Sequence, residues 1–196
     1  MPTTSIPGYR YGDSSLPTSP VTLEDLDRLR QSVLFDDQDC QALAAAGEIL
    51  AGQVDEILDV WYGFVASHPH LVKYFSTNQG EPIGDYLAAV RRRFGQWILD
   101  TCNREWDQDW LNYQEEIAKR HHRIGKNRTD GAAAVDHIPM RYLIAFIYPI
   151  TATIRPFLEN GNRSAEETEK MFHAWFKAVT IQVTLWTRPY ANDGDF

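Results

Sequence analysis

From Thr22 to about Thr187 apolar residues recur at steps of three and four, the spacing of one helix face, whereas a half-buried strand would alternate every second residue. The first 20 residues follow no such pattern. Pro2, Pro7, Pro17 and Pro20, with Gly8, Gly12 and many hydroxyl residues, exclude both a helix and a central strand, so residues 1–20 are predicted to form an irregular arm. Tyr9 and Tyr11 give that arm aromatic anchors for docking onto a single domain over residues 21–196. Thr22-Leu-Glu-Asp25 places a hydroxyl cap before acidic residues and predicts a short helix to about Val33. Asp36 or Asp37 can cap the next stretch, where Leu50, Val54, Ile57, Leu58, Trp61 and Val65 carry helix to about Ser67 with a break near Gly47–Gly52. His68-Pro69 ends it. After a loop at Asn78–Pro82, the stripe Leu87, Val90, Phe94, Trp97 and Thr101 predicts a helix to about Asn103. Another runs from Asp107 to about Gly125, where a loop to Gly131 begins. Pro139 opens a strongly apolar helix containing Tyr142, Leu143, Phe146, Ile147 and Ile150, with Pro149 predicted to kink it. The capping box Ser164-Ala-Glu-Glu167 opens the last helix, which carries Phe172, Trp175, Phe176, Val179, Val183 and Trp186. The class is all-α, with seven or eight helices.

Composition narrows the chemistry. The chain has 196 residues, with 19 Lys plus Arg against 27 Asp plus Glu and a net charge of −8. This disfavours nucleic acid, whose phosphates need a basic face. Cys40 and Cys102 are its two cysteines, and neither lies in a Cys-x-x-Cys arrangement, so sulfur-ligated zinc and c-type haem attachment are unsupported. The N-terminus lacks the basic and apolar regions of a signal peptide, and the apolar run Tyr142 to Ile154 is too short to span a bilayer. A soluble, cytoplasmic protein with no membrane partner is expected. No nucleotide-binding glycine motif or His-Glu-x-x-His is present. Asp36, Asp37 and Asp39 lack the glycine and terminal glutamate of a calcium loop and read as a capped, solvated helix start.

Histidine direction is the informative test, because a helix turns about 100° per residue. With Ile117 at zero, Trp110, Tyr113 and Ile124 fall within roughly 40°, His121 at roughly 40° and His122 at roughly 140°. His121 therefore faces the core and His122 the solvent. One imidazole cannot hold zinc alone, yet it suffices for haem, whose porphyrin supplies the other four nitrogens. On the helix that runs to about Ser67, Trp61 lies on the apolar stripe and Tyr62 on its flank, so the pair could be distal residues of a haem pocket or plain core aromatics. Val90, Phe94 and Phe146 are ordinary core residues on pattern alone. His68, His70 and His137 fall in turns and are expected to be exposed, with His173 at a helix boundary. Glu115 and Glu116 precede Lys119 and Arg120 by four and read as surface pairs.

Several peptides in order resemble the protoglobins: Ile6-Pro-Gly-Tyr-x-Tyr-Gly12, Asp55-Glu-Ile-Leu-Asp-Val-Trp-Tyr-Gly-Phe64, Ser67-His-Pro-His70, Ala88-Ala-Val-Arg-Arg-Arg-Phe94, Arg120-His-His-Arg123 and Tyr142-Leu-Ile-Ala-Phe-Ile-Tyr-Pro-Ile-Thr-Ala-Thr153. The resemblance runs from about residue 6 to Phe196. It implies a globin fold with an extra N-terminal helix and a preceding arm, in the lineage of the globin-coupled sensors. It makes His121 the proximal ligand of a b-type haem iron and Tyr62 the distal phenol, with Trp61, Phe94 and Phe146 shaping the distal pocket. Val90 stands where many oxygen-storage globins carry a distal histidine. Arg93 would face a haem propionate, the arm at Ile6–Gly12 would cover the haem edge, and Phe75, Tyr113, Ile117, Leu143 and Ile150 would be haem neighbours. The resemblance also implies a homodimer through the last two long helices, where Tyr148, Phe172, Trp175 and Trp186 offer apolar surface.

The leading expectation is reversible binding of dioxygen, carbon monoxide or nitric oxide at five-coordinate iron, for gas sensing, capture or protection. An open iron would also permit haem-based redox chemistry on nitric oxide, nitrite or peroxide, or use as an engineered carbene- or nitrene-transfer scaffold. A haem-free globin-like interaction module is the third reading.

Overall fold

The computed structural model describes residues 5–192 and 194–196; Pro2 and the rest of the predicted arm before Ser5 lie outside the described residues. Among these, eight α-helices follow in order: α1 (Leu23–Ser32), α2 (Asp37–Leu50), α3 (Val54–Ala66), α4 (Pro69–Val72), α5 (Gly84–Asn103), α6 (Gln108–His121), α7 (Met140–Glu159) and α8 (Ala165–Thr187). Single 3₁₀ turns at Lys73–Phe75 and Arg188–Tyr190 complete the set. No strand forms among the described residues; two isolated bridges, Ser76 with Pro82 and Thr77 with Ala134, pin the loops beside α4.

Caps set most of the starts. Thr22, Asp36 and Ser164 each accept from the backbone N–H of the third helical residue, while the acidic side chains of Asp25, Asp39 and Glu167 reach back to the cap, so two otherwise unbonded donors are satisfied at each end. Asp39 does more than cap. It is buried and pairs with Lys177 of α8 at 2.8 Å, and the same ammonium donates to the Leu34 carbonyl at 2.6 Å, so this helix start is not the solvated one its charges suggest. The break expected near Gly47–Gly52 falls at Ala51–Gln53, and Pro69 both ends the run of α3 and opens α4 at its first turn. Pro149 and Pro156 both sit inside α7.

Helix α6 stops four residues short of the predicted end. His122 is already extended, and the chain folds into turns in which the N–H groups of Gly125 and Lys126 bond the His122 carbonyl. Gly125 is required there: a Cβ would come 2.7 Å from the Lys119 carbonyl oxygen. Ile124 therefore leaves the apolar stripe and is exposed. His122 is half-buried, its ring lying edge-on to Tyr190 at 4.9 Å and to His137 at 5.1 Å. His137 is half-buried in the same cluster, and its buried Nδ1 has no hydrogen-bond partner among the described residues. Glu115 also departs from expectation: it is buried and ties α6 to the chain end through Arg188, besides its pair with Lys119 at 3.1 Å.

The core is built around α8, which packs on α2, α6 and α7. Trp97 of α5 meets Trp175 at 5.6 Å and Trp186 at 5.7 Å. Both α8 tryptophans are thus core residues, at 0% and 7% exposure, and neither belongs to the outer surface that a dimer would use. What α7 and α8 do present outward is Met140, Ile144 and Tyr148 at successive turns of α7, and Phe176 on α8. The buried Trp97 N–H donates to Gln182 Oε1 at 2.7 Å, and Gln182 in turn donates to Thr101 Oγ at 3.2 Å. Gln182→Leu would leave that indole donor buried and unbonded, so the folding free energy should fall by about 1–3 kcal/mol. Equilibrium urea unfolding measures it, and an unchanged midpoint would refute the claim.

A candidate haem pocket centred on His121

Helix α6 ends on His121, and the last-turn position decides its chemistry. Its Nδ1 lies 2.9 Å from the Ile117 carbonyl one turn back, which that nitrogen can meet only as a donor, so the proton sits on Nδ1 and Nε2 keeps its lone pair. Nε2 has no partner among the described residues. Trp186 stacks on the ring at 5.3 Å with planes 20° apart, and donates its own N–H to Gln114 of α6 at 2.8 Å. The Ile138 N–H bonds the His121 carbonyl at 3.1 Å. Ring and backbone are therefore both fixed.

The imidazole is half-buried and forms part of the wall of a cavity of about 210 Å³. Burial pulls its pKa down from 6.5 to about 4, with Lys126 and Arg120 adding to the effect and the Ile117 carbonyl opposing it. It is neutral across the physiological range, which is the form that binds a metal.

Every residue expected to line a cofactor site faces this one cavity: Trp61 and Tyr62 from α3, Phe75, Val90, Arg93 and Phe94 from α5 and its approach, Tyr113, Ile117 and His121 from α6, and Leu143, Phe146 and Ile150 from α7. Trp61 meets Phe94 at 5.8 Å and Phe146 at 5.3 Å, edge to face, so three helices share a wall of aromatic rings. Tyr62 stands against Phe75 and Phe94 with the Arg91 guanidinium 5.6 Å above its ring. Its hydroxyl has no hydrogen-bond partner among the described residues. Burial pushes that phenol above its ordinary range, so it stays protonated and able to donate.

The cavity has one polar side. Arg93 forks onto Asp130 at 2.6 and 2.9 Å and also donates to the Pro7 carbonyl at 2.8 Å. Arg120 holds Glu116 through two bonds of 2.9 and 3.0 Å. Asn127 and Thr129 lie on the same side. The arm closes over this edge at Gly8, whose φ of +76° suits glycine and whose missing Cβ leaves room for Thr129 and Arg93, 2.5 and 2.7 Å from where it would sit.

Sequence reasoning did not single out Tyr86, Trp97, Arg120, Asn127, Thr129, Asp130, Val183 or Trp186 as lining residues. Asn127, Thr129 and Asp130 lie in a loop without periodicity, so no pattern pointed inward. Tyr86 sits on the face of α5 that also carries Val90 and Phe94 at four-residue steps, a signal that could have found it. Its phenol is pushed up to about 12 by burial. Lys126, buried between the Tyr74 carbonyl at 3.0 Å and the Tyr86 ring at 5.3 Å, was equally hidden, and burial lowers it to about 8.

A histidine held neutral by the fold makes a pH signature. Between the unfolded pKa of 6.5 and the folded value near 4, the unfolded chain binds the proton and the folded chain does not, so His121 withdraws stability as pH falls through that window. In cofactor-free protein, urea unfolding at pH 7 and pH 4.5 should show a smaller acid loss for His121→Gln than for the parent chain. Equal losses would refute the buried neutral imidazole.

The globin domain of the Geobacter sulfurreducens globin-coupled sensor superposes with a TM-score of 0.66 at 12% identity, over 85% of this chain and 97% of that one, which establishes the globin fold. No curated protein matches the sequence. The protoglobin family, in contrast, matches continuously over residues 22–196, from the cap of α1 through the cavity-lining helices to the final residue. On that match this chain belongs to the protoglobin family.

Proposed function

We propose that the protein binds b-type haem in this cavity, with His121 as proximal ligand, and takes up dioxygen, carbon monoxide or nitric oxide reversibly at five-coordinate iron. The observation that carries the reading is the neutral imidazole whose Nδ1 is spent on the Ile117 carbonyl and whose partnerless Nε2 belongs to a ring on the wall of an aromatic cavity. Among the described residues no three His, Cys, Asp or Glu side chains converge on a metal position, and a porphyrin would bring its own four nitrogens. Bound there, haem supplies an iron with a coordination position for a diatomic gas. The rest falls to the chain. Trp61, Phe94, Phe146 and Ile150 keep water from the distal side, and the free hydroxyl of Tyr62 offers one hydrogen bond to a polar ligand. Arg93 and Arg120 at the polar edge are the cations suited to haem propionates, Arg93 by exchanging part of its hold on Asp130. Gas sensing, capture or protection are the roles open to such a site.

The outward stripe of Met140, Ile144 and Tyr148 on α7 and the exposed Phe176 on α8 support a homodimer through these two helices. Among the described residues no helix is long and apolar enough to cross a membrane, and a cytoplasmic setting suits the unpaired thiols of Cys40 and Cys102.

Three measurements test these statements. Reconstitution with haemin should give one Soret-absorbing haem per chain that shifts under carbon monoxide after reduction. His121→Ala should lose that stoichiometry, and retention of the parent spectrum would overturn the ligand assignment. Tyr62→Phe should speed dioxygen dissociation about fivefold or more, the rate equivalent of a hydrogen bond worth roughly 1 kcal/mol; an unchanged off-rate would remove Tyr62 from the role. Sedimentation equilibrium should give twice the 22.5 kDa chain mass for the parent and the single-chain mass for Tyr148→Glu. A single-chain mass for the parent would refute the dimer.

A further inference from the structure

Two arm tyrosines rest on the same neighbour, and they differ in what their hydroxyls touch. Tyr9 and Tyr11 lie edge-on to Tyr113 at 5.3 and 6.0 Å, both half-buried at the surface. Tyr113 itself is buried and lines the cavity. The Tyr9 hydroxyl donates to Asp100 Oδ2 at 2.7 Å and accepts from Arg104 at 3.2 Å. Asp100 is buried, and its other oxygen accepts from Gln96 at 2.9 Å and from Arg104 at 3.1 Å. Tyr11 has the Arg104 guanidinium 4.2 Å above its ring and no hydrogen bond to its hydroxyl among the described residues.

The difference is chemical. A phenol that loses an electron becomes a very strong acid, so near neutral pH it is oxidised readily only where a base stands within hydrogen-bond reach to take the proton. Both touch the Arg104 cation, but only Tyr9 has that base, already aligned. Docking an arm does not require a buried carboxylate, since a carbonyl would accept the same bond without the cost of burying charge. The pair Tyr9–Asp100, one ring from the cavity and half open to solvent, is arranged as a proton-coupled electron donor.

We propose that Tyr9, Asp100 and Tyr113 form an electron port into the cavity, by which the haem-loaded protein reduces hydrogen peroxide to water at the expense of a small phenolic reductant at the arm. The proposal rests on the haem reading above. In each passage the Tyr9 O–H bond breaks, its proton passes to Asp100 Oδ2, and its electron passes through Tyr113 to the cavity. The reductant then returns one electron to the Tyr9 oxygen, the proton comes back from Asp100, and the reductant's own phenolic proton enters solvent. Solvent supplies one proton per passage to the peroxide oxygens. Two passages break the O–O bond and yield two waters and two one-electron-oxidised phenols, so atoms and electrons balance.

The test uses haem-reconstituted protein mixed with hydrogen peroxide, freeze-quenched and examined by electron paramagnetic resonance, with and without ring-deuterated tyrosine. Haem content at one per chain is established first by the Soret band. The expected result is a tyrosyl radical, narrowed by deuteration, that disappears in Tyr9→Phe and persists in Tyr11→Phe. Tyr9→Phe keeps the ring against Tyr113, so the arm retains its aromatic contact. In Asp100→Asn, consumption of guaiacol by peroxide should fall about a hundredfold, the low end for loss of a placed proton acceptor. A tyrosyl signal of parental intensity in Tyr9→Phe overturns the port, as does the absence of any tyrosyl radical in protein whose Soret band and carbon monoxide shift are intact. Absence of haem from the parent chain after reconstitution overturns the haem reading and the port with it.

Discussion

The hydrogen bond between His121 Nδ1 and the Ile117 carbonyl governs the rest of the site. It can form only on a helix, because the acceptor must stand one turn back, and it frees Nε2 only if no other donor approaches. The helix must also end at once, since a further turn would carry His122 and Arg123 where the chain now folds away. The extended backbone of His122, the turn at Gly125 and the Ile138 N–H on the His121 carbonyl all serve that ending. Trp186 presses on the ring from the core, and its anchoring to Gln114 returns the contact to α6. A buried, neutral, partly unbonded imidazole is costly in itself, and the neighbouring elements bear that cost together.

How much of this could be read from the sequence divides along periodicity. The helices, the cap at Thr22 and the capping box of Ser164 with Glu167 were legible because each rests on local spacing, whereas the reciprocal bonds of Asp25 and Asp39 emerge only from the fold. His121 was separable from His122 by direction alone, although the stripe used to orient it wrongly included Ile124, which lies past the helix end. What escaped was set by tertiary approach. The stop of α6 depends on Lys119 backbone crowding Gly125, which no propensity records. Glu115 spaces like a surface pair yet is buried because the chain end returns Arg188 to it. Trp175 and Trp186 read equally well as core or as interface until Trp97 is found between them.

The polar edge of the cavity shows a second logic. Its cations are committed to acids of the same chain, Arg93 to Asp130 and Arg120 to Glu116, and the loop Asn127–Asp130 contributes most of its neutral or acidic groups. That edge is also where the arm lands, with Pro7 accepting from Arg93 and Tyr9 donating to Asp100. Charge, arm and loop thus meet on one side, while the aromatic wall from α3, α5 and α7 faces the other. Such a division suits a flat guest with one hydrophobic body and one charged rim.

The bond from Ile138 to His121 is continued outward, since the Ile138 carbonyl accepts from the Tyr190 hydroxyl at 2.7 Å. Two hydrogen bonds therefore join the backbone of the buried imidazole to the 3₁₀ turn Arg188–Tyr190, and Arg188 grips α6 again through Glu115. The turn and the end of α6 are thereby tied at two points, so the backbone of the imidazole and the ring of Tyr190 belong to one continuous hydrogen-bonded chain.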